Sequence, residues 1–427
     1  MMARSMLGLT LFVVGLFGSS RGEEYYVAVD GHPDAAGTRD DAWDVASTLA
    51  GQRPVKPSDT VWLRGGTYRC EHAYETKGQG YRVTVSGSAE KPITIRAAVG
   101  ERVTIDGGMV VQGDHLWLWD LEIAQPDNLE RVTQQGGSHP DLGNPYGGIA
   151  VHGDECRLIN LVIRDNLGNG VGWWSSAKGG EIYGSIIVRN GWKGPDRNHG
   201  HCIYTQNQEG TKTISNCIMT TRWPGGHYTM HAYGSSRAYV DNFVIEDNIA
   251  WRHGPFLVGG GRPSKNIIVR RNCLYKVPLQ NGYNAPHNED CEIVENVIFR
   301  SGMSVNRYKR GVVSDNLIVD GQLSINGEGS VDARDNVAMS DQTPEAVRSI
   351  LLANKYDEKR ANLAILNWKK EPQVRVPAGD FLKDGDRFRI MDPLDFYGKP
   401  VFEAQCDGDG FDVPMNDEFA VFVVLKD

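Results

Sequence analysis

Basic residues are the smaller charged class: 45 Lys and Arg stand against 54 Asp and Glu in 427 residues, a net charge of −9. A nucleic-acid binder needs a basic face to neutralise phosphates, so that class is set aside. Beyond Gly18 no apolar run is long enough to cross a bilayer, and no membrane span is expected. The apolar runs lack the period of a helix. Seven cysteines, Cys70, Cys156, Cys202, Cys217, Cys273, Cys291 and Cys406, contain no C-x-x-C pair and no zinc-type spacing. Several lie inside apolar runs and read as buried thiols, with room for one or two bridges at most. Glycine, by contrast, is plentiful. There are 50 of them, well above the ~7% of an average chain, which points to many tight turns.

The chain opens with Arg4, the apolar stretch LGLTLFVVGLFG at Leu7–Gly18, and small residues at Ser19, Ser20 and Gly22. This is the layout of a signal peptide over residues 1–22. The mature protein is expected to be exported, secreted or periplasmic, and monomeric.

A short apolar run, a small polar residue and another apolar run recur along the middle of the chain. The central residues are Asn160, Ser185, Asn216, Asn248, Asn272, Asn296, Asn316 and Asn336, 20 to 32 residues apart. Strands this short cannot stand alone, but coils stacked at ~4.8 Å let each pair with its counterpart in the next coil. Asparagine suits one repeated turn, because it tolerates left-handed backbone and its amide can bond to the amides above and below. The expected fold is all-β: a right-handed parallel β-helix of about ten or eleven coils over 23–345. Residues 346–427 form a linker and a small C-terminal antiparallel β-module. From about Leu363 the runs QVRVP, DRFRIMD, GKPVFEAQ, GFDVPM and EFAVFVVLK alternate between turn residues. The module reads equally as an accessory tail or as a cap on the open end of the helix.

YYVAVDG, the Gly37–Thr38 pair, DTVWLRGGTYR and ITIRAAVGERVTIDG, with the repeat that follows, resemble the right-handed parallel β-helix proteins of the pectate-lyase-like superfamily. The resemblance spans Tyr25 to about Ser340 and implies the fold. It does not choose among lyases, hydrolases, epimerases and non-catalytic adhesins.

In such a fold one strand per coil forms an exposed face. Strand alternation puts Ile149, Val151, Val171, Ile203, Met230 and Ala232 inward. Two outward columns result. One is Ala150, Gly172, Tyr204, His231; the other is His152, Trp174, Gln206, Tyr233; the outward set continues to Asn306 and Tyr308. Aromatic groups stack on sugar rings, and His, Gln and Asn bond to hydroxyls, so a polysaccharide or oligosaccharide is the expected partner. The densest stretch, DRNHGHCIYTQN, faces RWPGGHYTMHAYGSSRAY. It contributes His199, His201, Asn207 and His227 to the candidates. HCIYTQN followed by MHAYG is similar to a pattern in uncharacterised exported β-helix proteins.

Removing a proton α to a carboxylate needs a base, an acid for the leaving oxygen and a group that neutralises the carboxylate. His231, Tyr204, His201 and Arg237 are the catalytic candidates. Arg197, Arg222 and Arg307 are further arginines that could hold an acidic sugar. A glycoside hydrolase needs two carboxyl groups. The outward columns carry none, Asp196 and Glu209 lying only in flanking turns, and this favours β-elimination. Hydrolysis remains an alternative, as does a non-catalytic glycan-binding protein. The aspartate pair of polygalacturonase-like relatives is missing here, and so is the acidic cluster of calcium-dependent pectate lyases. No metal and no cofactor are expected, calcium being left open. The insertion at 124–147, with His139 and Tyr146, reads as a groove wall or a tolerated surface loop.

Overall fold

The computed structural model describes residues 22–76, 78, 80–125, 147–194, 198–222, 227–327 and 330–427. The expected signal peptide, Arg197, and His139 and Tyr146 of the 124–147 insertion lie outside these residues. The described strands wind as a right-handed parallel β-helix. Its three faces are sheets of twelve, eleven and ten parallel strands. One coil consists of Arg157–Ile159, Val162–Arg164 and Val171–Trp173. Each strand is only a few residues long, so stability comes from stacking. Ile149, Val171, Ile203, Met230 and Phe256 are successive partners in the ten-stranded sheet. All five side chains are buried in one continuous apolar core. The seven cysteines are free and buried. At the N-terminal end a short helix, Val45–Leu49, closes the first coils. Asp44 caps it by accepting from the Ser47 N–H at 2.8 Å, and Val45 and Leu49 join the core.

The asparagine ladder is present but shorter than the repeat suggests. Asn248, Asn272, Asn296, Asn316 and Asn336 stack, each Nδ2 donating to the next Oδ1 at 2.8–3.0 Å. The left-handed residue is the one before: Asp247, Arg271, Glu295, Asp315 and Asp335 have φ of 55–58° or 53°. Asn160 and Asn216 occupy that preceding position, with φ of 54° and 52°. Leu161 and Cys217 stand in the ladder column there. A left-handed residue points its side chain outward, so these two asparagines are corrected from ladder rungs to surface anchors. A second pair, Asn166 and Asn190 at 2.9 Å, stacks on another corner. Replacing Asn272 by Leu removes donations to Asn296, Ile245 and Arg270 and leaves the donors of Asn248 without their acceptor. Denaturant unfolding should show a loss of about 3 kcal/mol; a change below about 0.5 kcal/mol would show the ladder to be ornamental.

The C-terminal region forms a five-stranded antiparallel sheet in the order Arg348–Ala353, Arg360–Leu366, Phe419–Lys426, Arg387–Met391, Phe402–Gln405. A two-stranded sheet, Gln373–Pro377 with Gly410–Pro414, packs on it. It does not cap the open end. The module lies flat on the outer face of the eleven-stranded sheet. Leu366, Trp368, Met391, Phe419 and Val423 pack there on Val162, Val188, Ile218, Trp251, Tyr275 and Phe299. Asn354 donates to Asn160 Oδ1 at 2.7 Å, and Asn362 to Asn216 Oδ1 at 2.9 Å. The outward asparagines thus hold the module.

Candidate active site

With one face covered by the module, the ten-stranded face carries the outward columns. The register places Ala150, Gly172, Tyr204 and His231 opposite one another on adjacent coils. The second column begins just past the strand ends. The backbone N–H groups of Trp174, Gln206 and Tyr233 continue the ladder by donating to Val151, Trp173 and Thr205. Both predicted columns therefore stand. The Trp174 indole lies over Gly172, where a Cβ would come within 3.1 Å of the ring and press it a few tenths of an ångström outward.

The rings form a chain along the helix axis. His152 and Trp174 are 6.2 Å apart between centroids, Trp174 and Tyr204 5.6 Å, and Tyr204 and His231 5.3 Å. His231 is stacked between Tyr228 at 4.0 Å and Tyr233 at 4.8 Å, and Tyr283 extends the strip beyond Tyr233. Tyr228 and Tyr283 escaped the sequence reading because neither lies on an outward strand position. The Tyr204 hydroxyl accepts from Gln206 Nε2 at 3.2 Å.

Hydrogen bonding fixes the histidine tautomers. The Tyr228 backbone N–H donates to His201 Nδ1 at 3.1 Å, so that nitrogen carries no proton. The His201 proton is then on Nε2, which faces His231 Nδ1 at 3.2 Å and donates to it. His231 Nδ1 is the acceptor, and its own proton sits on Nε2. Protonating His231 would set two N–H groups against each other. Burial alone already lowers its pKa from 6.5 to about 4. His231 is a neutral donor and is ill-suited to be the base. Burial raises the Tyr204 phenol, opposed by the Gln206 hydrogen bond.

Other candidates are displaced. His199 is buried flat against the Trp192 indole, with centroids 3.9 Å apart, and His227 has no exposed surface. Both support the corner beneath the groove and cannot touch a glycan. Asn207 is also buried, its Nδ2 donating to the carbonyls of Gly210 and Asp241. Arg222 pairs with Asp165 at 3.5 Å on the corner shared with Arg189. Arg307 follows a strand three coils from His231, ~14 Å along the axis, and donates to the Ala285 carbonyl at 3.1 Å. Tyr308 is fully buried rather than outward, because it begins a new strand past a left-handed Arg307. The parity rule that placed the strand residues does not carry through these turns. Arg237 is exposed in the turn after Tyr233. His152 is exposed, with Nδ1 3.1 Å from the Ser176 hydroxyl. Among the described residues no three His, Cys, Asp or Glu side chains converge as a cation site would need.

Burial also lowers the pKa of His227 from 6.5 to about 4. Below the ordinary value the unfolded chain takes up protons that the folded chain refuses. Stability should therefore decline as pH falls from 6.5 to about 4 and level off below. His227 alone accounts for about 3 kcal/mol at the low end. Urea unfolding at several pH values should show this, and His227→Phe should flatten the slope; an unchanged slope would assign it elsewhere.

The class of protein is thus a parallel β-helix with one outer face covered by a β-module and a strip of aromatic rings on another. The chain is 36% identical over 332 residues to the pectate lyase PEL9 of Emericella nidulans, covering 65% of this chain and 73% of that one. It therefore belongs to the pectate lyase family of β-helix proteins. No family model matches it. Among solved structures it resembles pectate lyase Pel9A, with TM-score 0.50 and 16% identity over 76% of this chain and 82% of that one. A glycoside hydrolase gives TM-score 0.54 and 10% identity over 75% and 97%. At those identities the structural likenesses establish the fold.

Proposed function

We propose that the protein is an exported polysaccharide lyase that cleaves a uronate-containing glycan by β-elimination in the groove of the ten-stranded face. The observation that carries this reading is the Tyr228–His201–His231 relay beside Tyr204. It presents one neutral N–H donor and one phenol at the same height. The glycan lies along the ring strip. His231 Nε2–H hydrogen-bonds the sugar carboxylate and stabilises the charge that grows on it as the adjacent carbon loses its proton. Tyr204, as the phenolate supported by Gln206, takes that proton. The electron pair forms the new C=C bond, the glycosidic C–O bond breaks, and the phenol returns the proton to the leaving oxygen. In this reading Arg237, exposed in the turn after Tyr233, meets a neighbouring carboxylate. The lack of Asp or Glu on the described outward columns supports elimination over hydrolysis.

The test is ultraviolet absorbance of the unsaturated uronate while the mature protein acts on a panel of uronate polysaccharides, with and without calcium. A rise that disappears in Tyr204→Phe supports the reading. New reducing ends without absorbance would make it a hydrolase. Binding without either signal would make it a glycan-binding protein. Because the tyrosine pKa is raised above 10 by burial, kcat/KM should climb with pH through the neutral range. A flat profile there would remove the phenolate as base.

A further inference from the structure

Lys212 opens the strand Lys212–Ser215 and shares the inward parity of Ile214. It is fully buried. Its Nζ donates to the carbonyls of Gln206 at 2.7 Å, Trp174 at 2.9 Å and Trp173 at 3.2 Å. It also lies 4.6 Å from the Trp173 ring centroid. An ammonium has three donors and no acceptor, so the three carbonyls match it fully. Burial pushes the Lys212 amine well below the ordinary lysine pKa, so a charge in this apolar core depends on those three acceptors. A side chain needed only for packing would be apolar here.

The bonded carbonyls locate the consequence. The strands of the ten-stranded sheet end at Trp173 and Thr205. Trp174 and Gln206 stand one residue beyond, where their N–H groups make the last bonds of the ladder. Their side chains build the groove. Trp174 is the ring beside Tyr204, and Gln206 bonds the Tyr204 hydroxyl. Lys212 ties the two turns, which belong to adjacent coils, from behind to one point.

We propose that Lys212 is a positioning residue for the groove, its buried ammonium fixing the Trp174 and Gln206 turns so that the indole and the amide stay aligned with Tyr204. The kinetic part of this inference rests on the lyase reading; the structural part does not.

The experiment compares wild type, Lys212→Met and Lys212→Gln as mature full-length proteins. Hydrogen exchange is followed over 171–178 and 203–211. Turnover is measured in the wild-type and Gln206→Leu backgrounds. Lys212→Met should speed exchange in both turns by about tenfold while distant coils keep their protection. It should lower kcat by about tenfold in the wild-type background and by less than about twofold once Gln206 is gone, because both changes act through the same contact. KM should rise severalfold through the loosened Trp174. Unchanged exchange in the two turns overturns the proposal, whether or not any glycan is cleaved. An equal kcat loss in both backgrounds also overturns it, since it would mark Lys212 as a general stabiliser. If Lys212→Met does not fold, Lys212→Gln, which keeps two N–H donors, is read by the same criteria.

Discussion

Tyr204→Phe should lower kcat by about three orders of magnitude and leave KM within about twofold. The substitution keeps the ring, and with it the contacts to Trp174, His201 and His231 at 5.3–5.9 Å. It removes one oxygen, whose hydrogen bond comes from Gln206 at 3.2 Å on a half-buried surface. The loss to stability is therefore about 1 kcal/mol or less. Chemistry and fold are separated by this one atom. In the proposed reaction that oxygen handles the proton twice, first from carbon and then to the leaving oxygen, so no other group covers its loss. Initial-rate kinetics with thermal unfolding as a control decide the matter. Retention of more than about a tenth of wild-type kcat would move the proton transfer to another residue.

The second large effect concerns the module. Deleting 346–427 should leave an insoluble or aggregating β-helix. The deletion bares a strip made of Val162, Ile186, Val188, Ile218, Ile249, Trp251, Tyr275, Phe299 and Val319. At about 1.5–3 kcal/mol for each large apolar side chain, the interface contributes on the order of 10 kcal/mol. A bare strip of this kind is an aggregation surface. Size-exclusion chromatography and dye binding of the truncated chain provide the measurement. A monomeric, cooperatively folded fragment would restore the view of the module as a separable tail. Trp368→Ser, which removes the indole packed at 5.9 Å on Phe299, should show a milder form of the same defect.

These two cases mark what could be read from the chain alone. Tyr204 and His231 were legible because strand alternation has a period of two and the repeat supplies the register. The relay through His201 was not, since it depends on a backbone N–H of Tyr228 in an irregular turn. His199, His227 and Asn207 looked functional by residue type, and only burial shows them to be structural. Lys212 had a signal: it alternates with Thr213 and Ile214 as an inward residue. The general rule that lysine stays exposed hid it. The docked module had a signal too. The second strand of each coil reads LVI, SIIV, CIM, NIAW, CLY, VIF and LIV, apolar on both sides, as strands covered on both faces do. The ladder was displaced by one residue at Asn160 and Asn216 because asparagine serves both adjacent places in that corner.

The placement of the module also fixes an order of events during folding. Asn354 meets Asn160 and Tyr356 meets Arg157, contacts that span 194 and 199 positions of the chain. Neither docking surface exists until many coils have zipped together, so attachment of the strap must come late and slowly. Once attached, it bridges coils that otherwise touch only their neighbours. A coil between Val162 and Val319 cannot then peel away alone, and those coils must let go together. Endurance against proteases would follow from a slow unfolding rate more than from a deep equilibrium minimum.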